Sequence, residues 1–94
     1  MQEIIPGPVE MILEKMVERQ LVKQGVVKLL KTLNKREEEI VRLYFGFDGE
    51  TPLSFEEIGK LLKLSRERIR QIHGIALSKL QQNSLVDSLK FYVV

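Results

Sequence analysis

The fold of this chain is decided by residues 54–81, which read SFEEIGKLLKLSRERIRQIHGIALSKLQ. Ser54 and Glu57 have the spacing of a capping box, in which the hydroxyl and the carboxylate each accept a bond from a backbone N–H at a helix start. The helix that they open is expected to end near Lys63, and Ser65 then caps a longer second helix. Two helices joined by a short turn are therefore predicted.

The apolar residues of this stretch have the pattern that two steeply crossing helices require. The positions where the helix faces meet hold Ile58, Leu62, Leu64, Ile69 and Ile72. Gly59 is expected where the backbones come closest, because a larger side chain there would push the helices apart. Lys63 stands near the place where a helix-turn-helix often has glycine, at a cost of about 1 kcal/mol if its backbone is left-handed. We interpret the stretch as a helix-turn-helix, although helical hairpins without a DNA-binding role can share this spacing.

The second helix, from Arg66 to about Leu80, has the chemistry of a DNA recognition helix. Its inward positions are Ile69, Ile72 and Ala76 or Leu77. The outward positions of its first two turns are Arg66, Glu67, Arg70 and Gln71. In the major groove arginine can bond guanine, glutamine can bond adenine, and glutamate can accept from cytosine. An acid on a basic face would repel phosphate, so Glu67 is expected to face a base donor, a neighbouring arginine or the helix dipole.

The distribution of charge agrees with a nucleic-acid surface near this end of the chain. Residues 60–82 hold six basic side chains and one acidic one, whereas residues 1–59 hold more acids than bases. Phosphate attraction supplies most non-specific DNA affinity, so DNA is expected to lie against the basic block. A solvated helix surface is the alternative, since the whole chain has a net charge of only +2.

The first third of the chain is predicted to be helical after a short arm. Residues 1–8 hold two of the three prolines and are interpreted as a linker or arm. Apolar residues then recur at helical spacing over 9–32, which predicts one helix or a pair of helices. Gly25 favours a bend or break between two helices, because glycine is a poor helix former.

Two further helices complete the predicted fold. Asn34 and Glu37 are expected to cap a helix over residues 35–46 that ends at Gly46. Residues 84–94 are apolar enough for a last short helix. No alternation typical of a strand is visible, so the chain is predicted to be an all-α domain of four to five helices.

Composition excludes several classes of protein. The chain has no cysteine and one histidine, so disulfides, thiolate metal sites and histidine metal clusters are not expected. No run approaches the roughly 18 apolar residues of a membrane span, and no signal peptide is visible. No carboxylate pair, nucleophile–base pair or phosphate loop stands out. We therefore expect a cytoplasmic protein that is not an enzyme and has no cofactor, no small-molecule substrate and no membrane partner.

The motif SRERIRQI (65–72) resembles the signature of region 4.2 in the sigma-70 family of bacterial RNA polymerase sigma factors. Residues 54–81 are similar to that region over its full length, and LNKREEEIVRLYFGF (33–47) resembles region 4.1. The resemblance covers about residues 8–82 and implies domain 4 of such a factor. The implied divisions of this domain, 9–94, are a region 4.1-like part over 9–47, a region 4.2-like helix-turn-helix over 54–82 and an apolar C-terminal tail over 83–94.

The resemblance also implies partners and roles. Domain 4 of such a factor binds the flap of the β subunit of the RNA polymerase core and reads the −35 element of double-stranded promoter DNA. The implied base-reading residues are Arg66, Glu67, Arg70 and Gln71. The implied phosphate contacts are Arg36, Lys60, Lys63 and Ser65. The implied flap-binding residues are Leu43, Tyr44 and Phe45, of which Phe45 also fits an ordinary core position.

The sequence departs from the family pattern after the signature. Where principal sigma factors carry a second basic stripe that meets activators, this chain has Ile75, Ser78 and Gln81. Contact with an activator through this helix is therefore not assumed. His73 stands where an acid is common. The apolar tail fits either core or a surface held by a partner such as an anti-sigma protein.

Two other classes of function fit the same residues. A free-standing helix-turn-helix regulator would need a dimer surface in order to read two half-sites, and the apolar tail is the candidate surface. A pure interaction module would have a covered or unused DNA face. Preference for one DNA sequence and a monomeric state in solution would favour the sigma domain over both alternatives.

Overall fold

The computed structural model describes residues 8–18, 24–47 and 51–83. These ranges form five helices, named α1 (Pro8–Glu18), α2 (Gln24–Leu30), α3 (Lys35–Phe45), α4 (Phe55–Leu62) and α5 (Arg66–Gln81). No strand occurs within them. The predicted all-α class is confirmed, and the described parts of the 9–32 range fall in two helices, α1 and α2, as one of the two interpretations expected. The predicted helix over 84–94 lies outside the described residues.

The helix starts follow the capping chemistry read from the sequence. The Asn34 side chain accepts from the Glu37 backbone N–H at 2.8 Å, and the Glu37 carboxylate accepts from the Asn34 N–H at 3.1 Å. Ser54 and Glu57 form the same reciprocal pair at the start of α4. The predicted capping box at Ser54 and the predicted N-cap at Asn34 are confirmed, and Asn34 and Glu37 form a capping box as well. Each removes two N–H groups from the set that a helix start leaves without backbone partners.

A first apolar cluster joins α1, α2 and the end of α3 to the C-terminal half of α5. Its buried members are Val9, Ile12, Leu13, Leu29, Leu30, Leu33, Val41, Phe45, Phe47, Ala76, Leu77 and Leu80. Because most of these side chains are wholly removed from water, burial at about 25 cal/mol per Å² is the main stabilising contribution of this half of the domain.

A second, smaller cluster holds the helix-turn-helix against α3. Its buried members are Ile40, Ile58, Ile69 and Ile72, one from each of α3 and α4 and two from α5. Half-buried apolar side chains from the same helices and the intervening loop surround them: Leu43, Tyr44, Leu53, Phe55, Leu62 and Leu64. The orientation of α5 is thus fixed on two sides, by α4 and by α3.

Polar contacts between distant parts of the chain add to the apolar packing of α5. The Lys79 Nζ donates to the Glu37 carboxylate at 2.7 Å, which joins the start of α3 to the last turn of α5. Glu37 is only 7% exposed, whereas Lys79 is 51% exposed. The Val9 backbone N–H donates to the Gln81 side-chain oxygen at 2.9 Å and ties α1 to the end of α5.

The described helices lack two features that would suggest other functions. No helix among them is long and apolar enough to cross a membrane. Nor do the described residues contain a group of three or more side chains placed to hold a metal ion.

Candidate nucleic-acid interface

The turn between α4 and α5 is built around Gly59. A Cβ added there would lie 2.6 Å from the carbonyl oxygen of Leu64, closer than real Cβ contacts come. The Leu64 N–H in turn donates to the Gly59 carbonyl at 2.9 Å. The predicted close approach at Gly59 is confirmed, with the backbone of the turn as the neighbour. Only glycine therefore fits at position 59 of α4, against this turn, without movement of the main chain.

Lys63 ends α4 in the left-handed conformation, with φ 63°. Its backbone N–H donates to the Gly59 carbonyl, which closes the helix end. Lys63 thus has the left-handed backbone that the sequence analysis considered, at a position where glycine would be unstrained. The exposed Lys63 side chain is consequently held at the junction of the two helices.

The helix α5, which the sequence predicts to be a recognition helix, buries one face and exposes the other as the apolar spacing predicted. Ile69, Ile72, Ala76 and Leu77 are all buried. Of the four predicted base-reading residues, Arg66, Glu67 and Gln71 are exposed and Arg70 is half-buried. Ser65 accepts from the Arg68 backbone N–H at 3.0 Å and so caps the helix, as expected. The first two turns of α5 thus present a rigid polar face.

Glu67 and Arg70 form a two-bond ion pair on that face. The Arg70 Nε donates to one Glu67 carboxylate oxygen at 3.0 Å, and an Arg70 terminal nitrogen donates to the other at 2.7 Å. The hydrogen bond from Arg70 lowers the pKa of Glu67 from its usual value, with smaller contributions in the same direction from Gln71 and from the charge of Arg66. Of the three environments expected for Glu67, the structure shows two: the neighbouring arginine, and a place in the first turn of α5, where the helix dipole favours an acid.

Arg68 is an exposed cation on this helix to which sequence reasoning assigned no role. Its terminal nitrogen donates to the Gln71 side-chain oxygen at 3.4 Å. Gln71 thus lies between Arg68 and the carboxylate of Glu67. Helical spacing indicates that Arg68 belongs to the exposed face, because it stands one turn before Gln71 and away from the buried face of Ile69.

The predicted phosphate contacts divide into two groups. Lys60, Lys63 and Ser65 come from the last turn of α4, its C-terminal cap and the N-terminal cap of α5, so they adjoin the start of the recognition helix. All three are exposed. Lys60 lies 3.9 Å from the exposed Glu56, a weak pairing that leaves its ammonium in water. This group forms a basic rim beside the first turn of α5.

Arg36 does not belong to that rim. It lies in the first turn of α3, where the next residue, Glu37, is bonded to Lys79 near the end of α5. The start of α3 is therefore separated from Arg66 by most of the length of α5, about 20 Å at 1.5 Å per residue. A phosphate bound by Arg36 would belong to a different part of the DNA backbone.

An open groove lies on another side of the domain, with a cavity volume of about 490 Å³. Its lining comes from α1, the end of α3 and the segment before α4: Glu14, Val17, Tyr44, Phe45, Pro52, Leu53 and Ser54. Tyr44 and Phe45, two of the three predicted flap-binding residues, line this groove, whereas Leu43 packs in the second cluster. Phe45 is also a buried member of the first cluster, in agreement with its expected core position.

His73 lies on the buried side of α5, only 5% exposed, where its ring packs against Tyr44 and Phe45, two of the side chains that line the groove. Its ring centroid is 4.5 Å from that of Tyr44, 5.1 Å from Phe55 and 5.9 Å from Phe45. The Nδ1 atom has no hydrogen-bond partner among the residues that the structure describes. Burial lowers the pKa of His73 to about 4, so the ring is neutral near pH 7. Sequence reasoning missed this core role, which the spacing of His73 from Ile69 and Ala76 indicates.

Comparison with known proteins agrees with this arrangement. The profile of the family described as Sigma-70, region 4, matches residues 29–82. The chain is 55% identical over 92 residues, 98% of its length, to the RNA polymerase sigma factor sigD, chloroplastic, of Arabidopsis thaliana. It is 44% identical over 73 residues, 78% of its length, to the RNA polymerase sigma factor SigA of Clostridium acetobutylicum. It is 38% identical over 80 residues, 85% of its length, to SigA of a Nostoc species.

The family match covers more than half of the chain, and we conclude that this chain belongs to the sigma-70 family, as a region 4 domain. The resemblance stated from the SRERIRQI motif is confirmed. The chain spans about a fifth of the length of these relatives, which is 22% of the Arabidopsis protein, 19% of the Clostridium protein and 20% of the Nostoc protein.

Proposed function

We propose that this domain recognises promoters in transcription initiation by reading the −35 element of double-stranded DNA with α5 while it is docked on the β-subunit flap of RNA polymerase. The observation that carries the proposal is the polar face of α5. Arg66, Glu67 and Gln71 are exposed in its first two turns, while Ile69 and Ile72 anchor the same turns in the core. A helix presented in this way is suited to enter the major groove with its N-terminal residues.

The basic rim of Lys60, Lys63 and Ser65 supports the DNA part of the proposal. These residues adjoin the start of α5, where a duplex entered by the helix brings its phosphates close. Lysines at such positions add affinity that does not depend on sequence, whereas base contacts supply specificity. We assign the rim to phosphate and the α5 face to bases.

The groove beside Tyr44 and Phe45 supports the polymerase part of the proposal. It lies among α1, α3 and the segment before α4, and the side chains of the α5 reading face do not line it. A partner helix seated there would leave that face open to DNA. The relatives are all named RNA polymerase sigma factors, which makes the polymerase core the partner that we propose.

The compartment follows from the polymerase that the domain serves. The bacterial relatives support the predicted cytoplasmic location, and the Arabidopsis relative, which is named chloroplastic, makes a plastid the second candidate. A fluorescent fusion of the complete protein in its own cells distinguishes the two.

The DNA part is tested by titrating variants against duplexes that contain or lack the correct hexamer, at two salt concentrations. Arg70→Ala is expected to cost about 1–3 kcal/mol on the correct duplex and little on a duplex altered at the base it reads. Lys60→Ala is expected to weaken binding to every duplex alike and to lower the salt slope by about one unit. Lys28→Ala, which removes an exposed lysine on α2, serves as the matched control and should change neither quantity.

Equal losses for Arg70→Ala on both duplexes would show that Arg70 binds phosphate, and its assignment to bases would fail. The polymerase part is tested separately by NMR with a flap-tip peptide. We expect the peptide to shift Val17, Tyr44 and Leu53, which line the groove, and to leave Arg66 unshifted. Shifts confined to the first turns of α5 would contradict the assignment of two separate surfaces.

A further inference from the structure

We propose that Glu67 and Arg70 act as one reading unit, in which Glu67 positions the Arg70 guanidinium for a base and holds it away from phosphate. The inference rests on the proposed function, because it assumes that the face of α5 meets DNA. It concerns how that face distinguishes bases from backbone, and it makes Glu67 a positioning residue for Arg70 as well as a candidate base contact.

The geometry of the pair supports this role. Arg70 follows Glu67 by three residues, so the two side chains stand on the same face of the helix. Both carboxylate oxygens are used, at 3.0 Å by Nε and at 2.7 Å by a terminal nitrogen. Two parallel bonds fix the plane of a guanidinium, which one bond or a lysine ammonium would leave free to rotate. The plane of Arg70 is therefore set before DNA arrives.

The surroundings of the pair keep the Glu67 carboxylate ionised and in place. Gln71 lies within hydrogen-bonding reach of Glu67, and the charge of Arg66 acts on the same carboxylate. Gln71 in turn accepts from Arg68. Gln71 and Arg66 stabilise the negative charge that holds Arg70, and Arg68 bonds Gln71 in turn. Arg66, Arg68, Arg70 and Gln71 thus form a connected network around the Glu67 carboxylate.

Pairing changes what Arg70 gains from each part of DNA. A guanidinium whose charge is already compensated gains less Coulomb energy from a phosphate than an uncompensated one. A guanine edge offers two directional acceptors without a full charge, so it rewards a fixed guanidinium plane more than it rewards net charge. Glu67 therefore lowers the attraction of Arg70 to phosphate more than its attraction to a base. Glu67 thus raises the preference for one base sequence and lowers the affinity for DNA of any sequence.

The alternative is that the two residues act independently, with Glu67 reading its own base and repelling phosphate only through its own charge. Under that alternative the effect of removing the Glu67 charge is the same whether or not Arg70 is present. Under the proposal most of the effect requires Arg70. A double-mutant cycle separates the two cases.

The first part of the test needs no DNA. In the 94-residue chain, the NMR signal of the Arg70 Nε–H is compared among the wild type, Glu67→Gln and Glu56→Gln. Glu56 is the matched control, an exposed acid on α4 whose cation neighbour is Lys60. We expect slow Nε–H exchange in the wild type and in Glu56→Gln, and exchange at least about fivefold faster in Glu67→Gln. Equal exchange in all three proteins would overturn the proposal.

The second part measures binding to the correct and the altered duplex over a series of salt concentrations. We expect Glu67→Gln to steepen the salt slope by about one unit, because Arg70 becomes available to phosphate. We also expect it to reduce the preference for the correct duplex at least about fivefold. In an Arg70→Ala background, Glu67→Gln should change both quantities by much less, because only the direct effect of Glu67 itself remains.

The outcomes distinguish the pair from the proposed function. Changes of equal size in both backgrounds would overturn the reading unit while leaving promoter recognition in place. Absence of any sequence preference in the wild type would overturn the proposed function and, with it, the reading role. In that case, the exchange of the Arg70 Nε–H still reports whether the pair itself exists.

Discussion

Acid should unfold this domain through His73. The side chain is buried among Tyr44, Phe45 and Phe55, and its Nδ1 atom has no partner among the described residues. Among the residues that the structure describes, burial is what perturbs the pKa of the ring, so a proton bound there would introduce a charge into an apolar site. Such a charge is disfavoured, because burial removes the hydration that would compensate it.

The size of the effect follows from the two pKa values. Burial lowers the pKa of His73 from 6.5 to about 4. Below pH 6.5 the unfolded chain therefore binds a proton that the folded domain resists, and stability is lost progressively as the pH falls toward 4. Above pH 6.5 His73 is neutral in both the folded and the unfolded chain, so none of this stability is lost there. At about 1.4 kcal/mol per pKa unit, the total loss is about 3 kcal/mol.

The assay compares the wild type with His73→Leu in urea unfolding at pH 7, 5.5 and 4.5. Leucine fills a similar volume and does not titrate, so the variant should stay within about 1.5 kcal/mol of the wild type at pH 7. Between pH 7 and 4.5 the wild type should lose about 2–3 kcal/mol more than the variant. Glu10, whose pKa is raised mainly by burial, titrates in both proteins, and its effect cancels in the comparison.

A second readout is available even if His73→Leu folds poorly. The chain contains one histidine, so its imidazole gives a single set of ring signals. These signals should remain those of a neutral ring down to about pH 5. Titration near pH 6.5 in the folded protein, or identical pH dependence of stability in both proteins, would refute the burial argument.

Three substitutions test the packing that fixes α5, each by the free energy of unfolding in urea. Gly59→Ala should destabilise the domain by about 1–3 kcal/mol, although alanine is the better helix former, because its Cβ would meet the Leu64 carbonyl; an unchanged stability would show that the turn can yield. Lys63→Gly should stabilise the domain by up to about 1 kcal/mol, since glycine tolerates φ 63° without strain. A loss of stability would mean that the conformational entropy of glycine stabilises the unfolded chain by more than the relieved strain stabilises the folded domain. Lys79→Met should cost about 1–3 kcal/mol by leaving the buried Glu37 carboxylate without its ammonium, and a neutral result would indicate that water replaces it.

Much of the fold could be predicted because it depends on local chemistry. Capping at Asn34, Ser54 and Ser65 involves side chains within three residues of the backbone groups that they bond, so sequence spacing is sufficient to place the helix starts. The closure of α3 at Gly46 is equally local, with φ 75° at the glycine. These signals do not require knowledge of how the helices pack.

The features that escaped prediction depend on packing between elements. Nothing near Glu37 in the sequence indicates that Lys79, 42 residues later, supplies its cation. The separation of Arg36 from the basic rim follows from that same contact. For His73, the family comparison gives only a position where an acid is common, although its helical spacing from Ile69 places it inward. For Glu67, sequence spacing left three environments open, and the structure shows two of them, the contact with Arg70 and the first turn of α5.

The two proposed surfaces of this domain are linked through the packing of α5. Its first two turns carry the polar face, while its C-terminal half, through Ala76, Leu77 and Leu80, is core to the first cluster. The contacts of Lys79 with Glu37 and of Gln81 with Val9 hold that half against α3 and α1, the helices that also line the groove. A helix that reads bases needs this anchorage. A base contact discriminates by about 1–3 kcal/mol only when its side chain is oriented before DNA binds. Under the proposed function, the orientation of the polar face of α5 therefore depends on the packing at the far end of the same helix, and we expect a partner that strengthens the α1–α3 side to improve base reading without touching DNA.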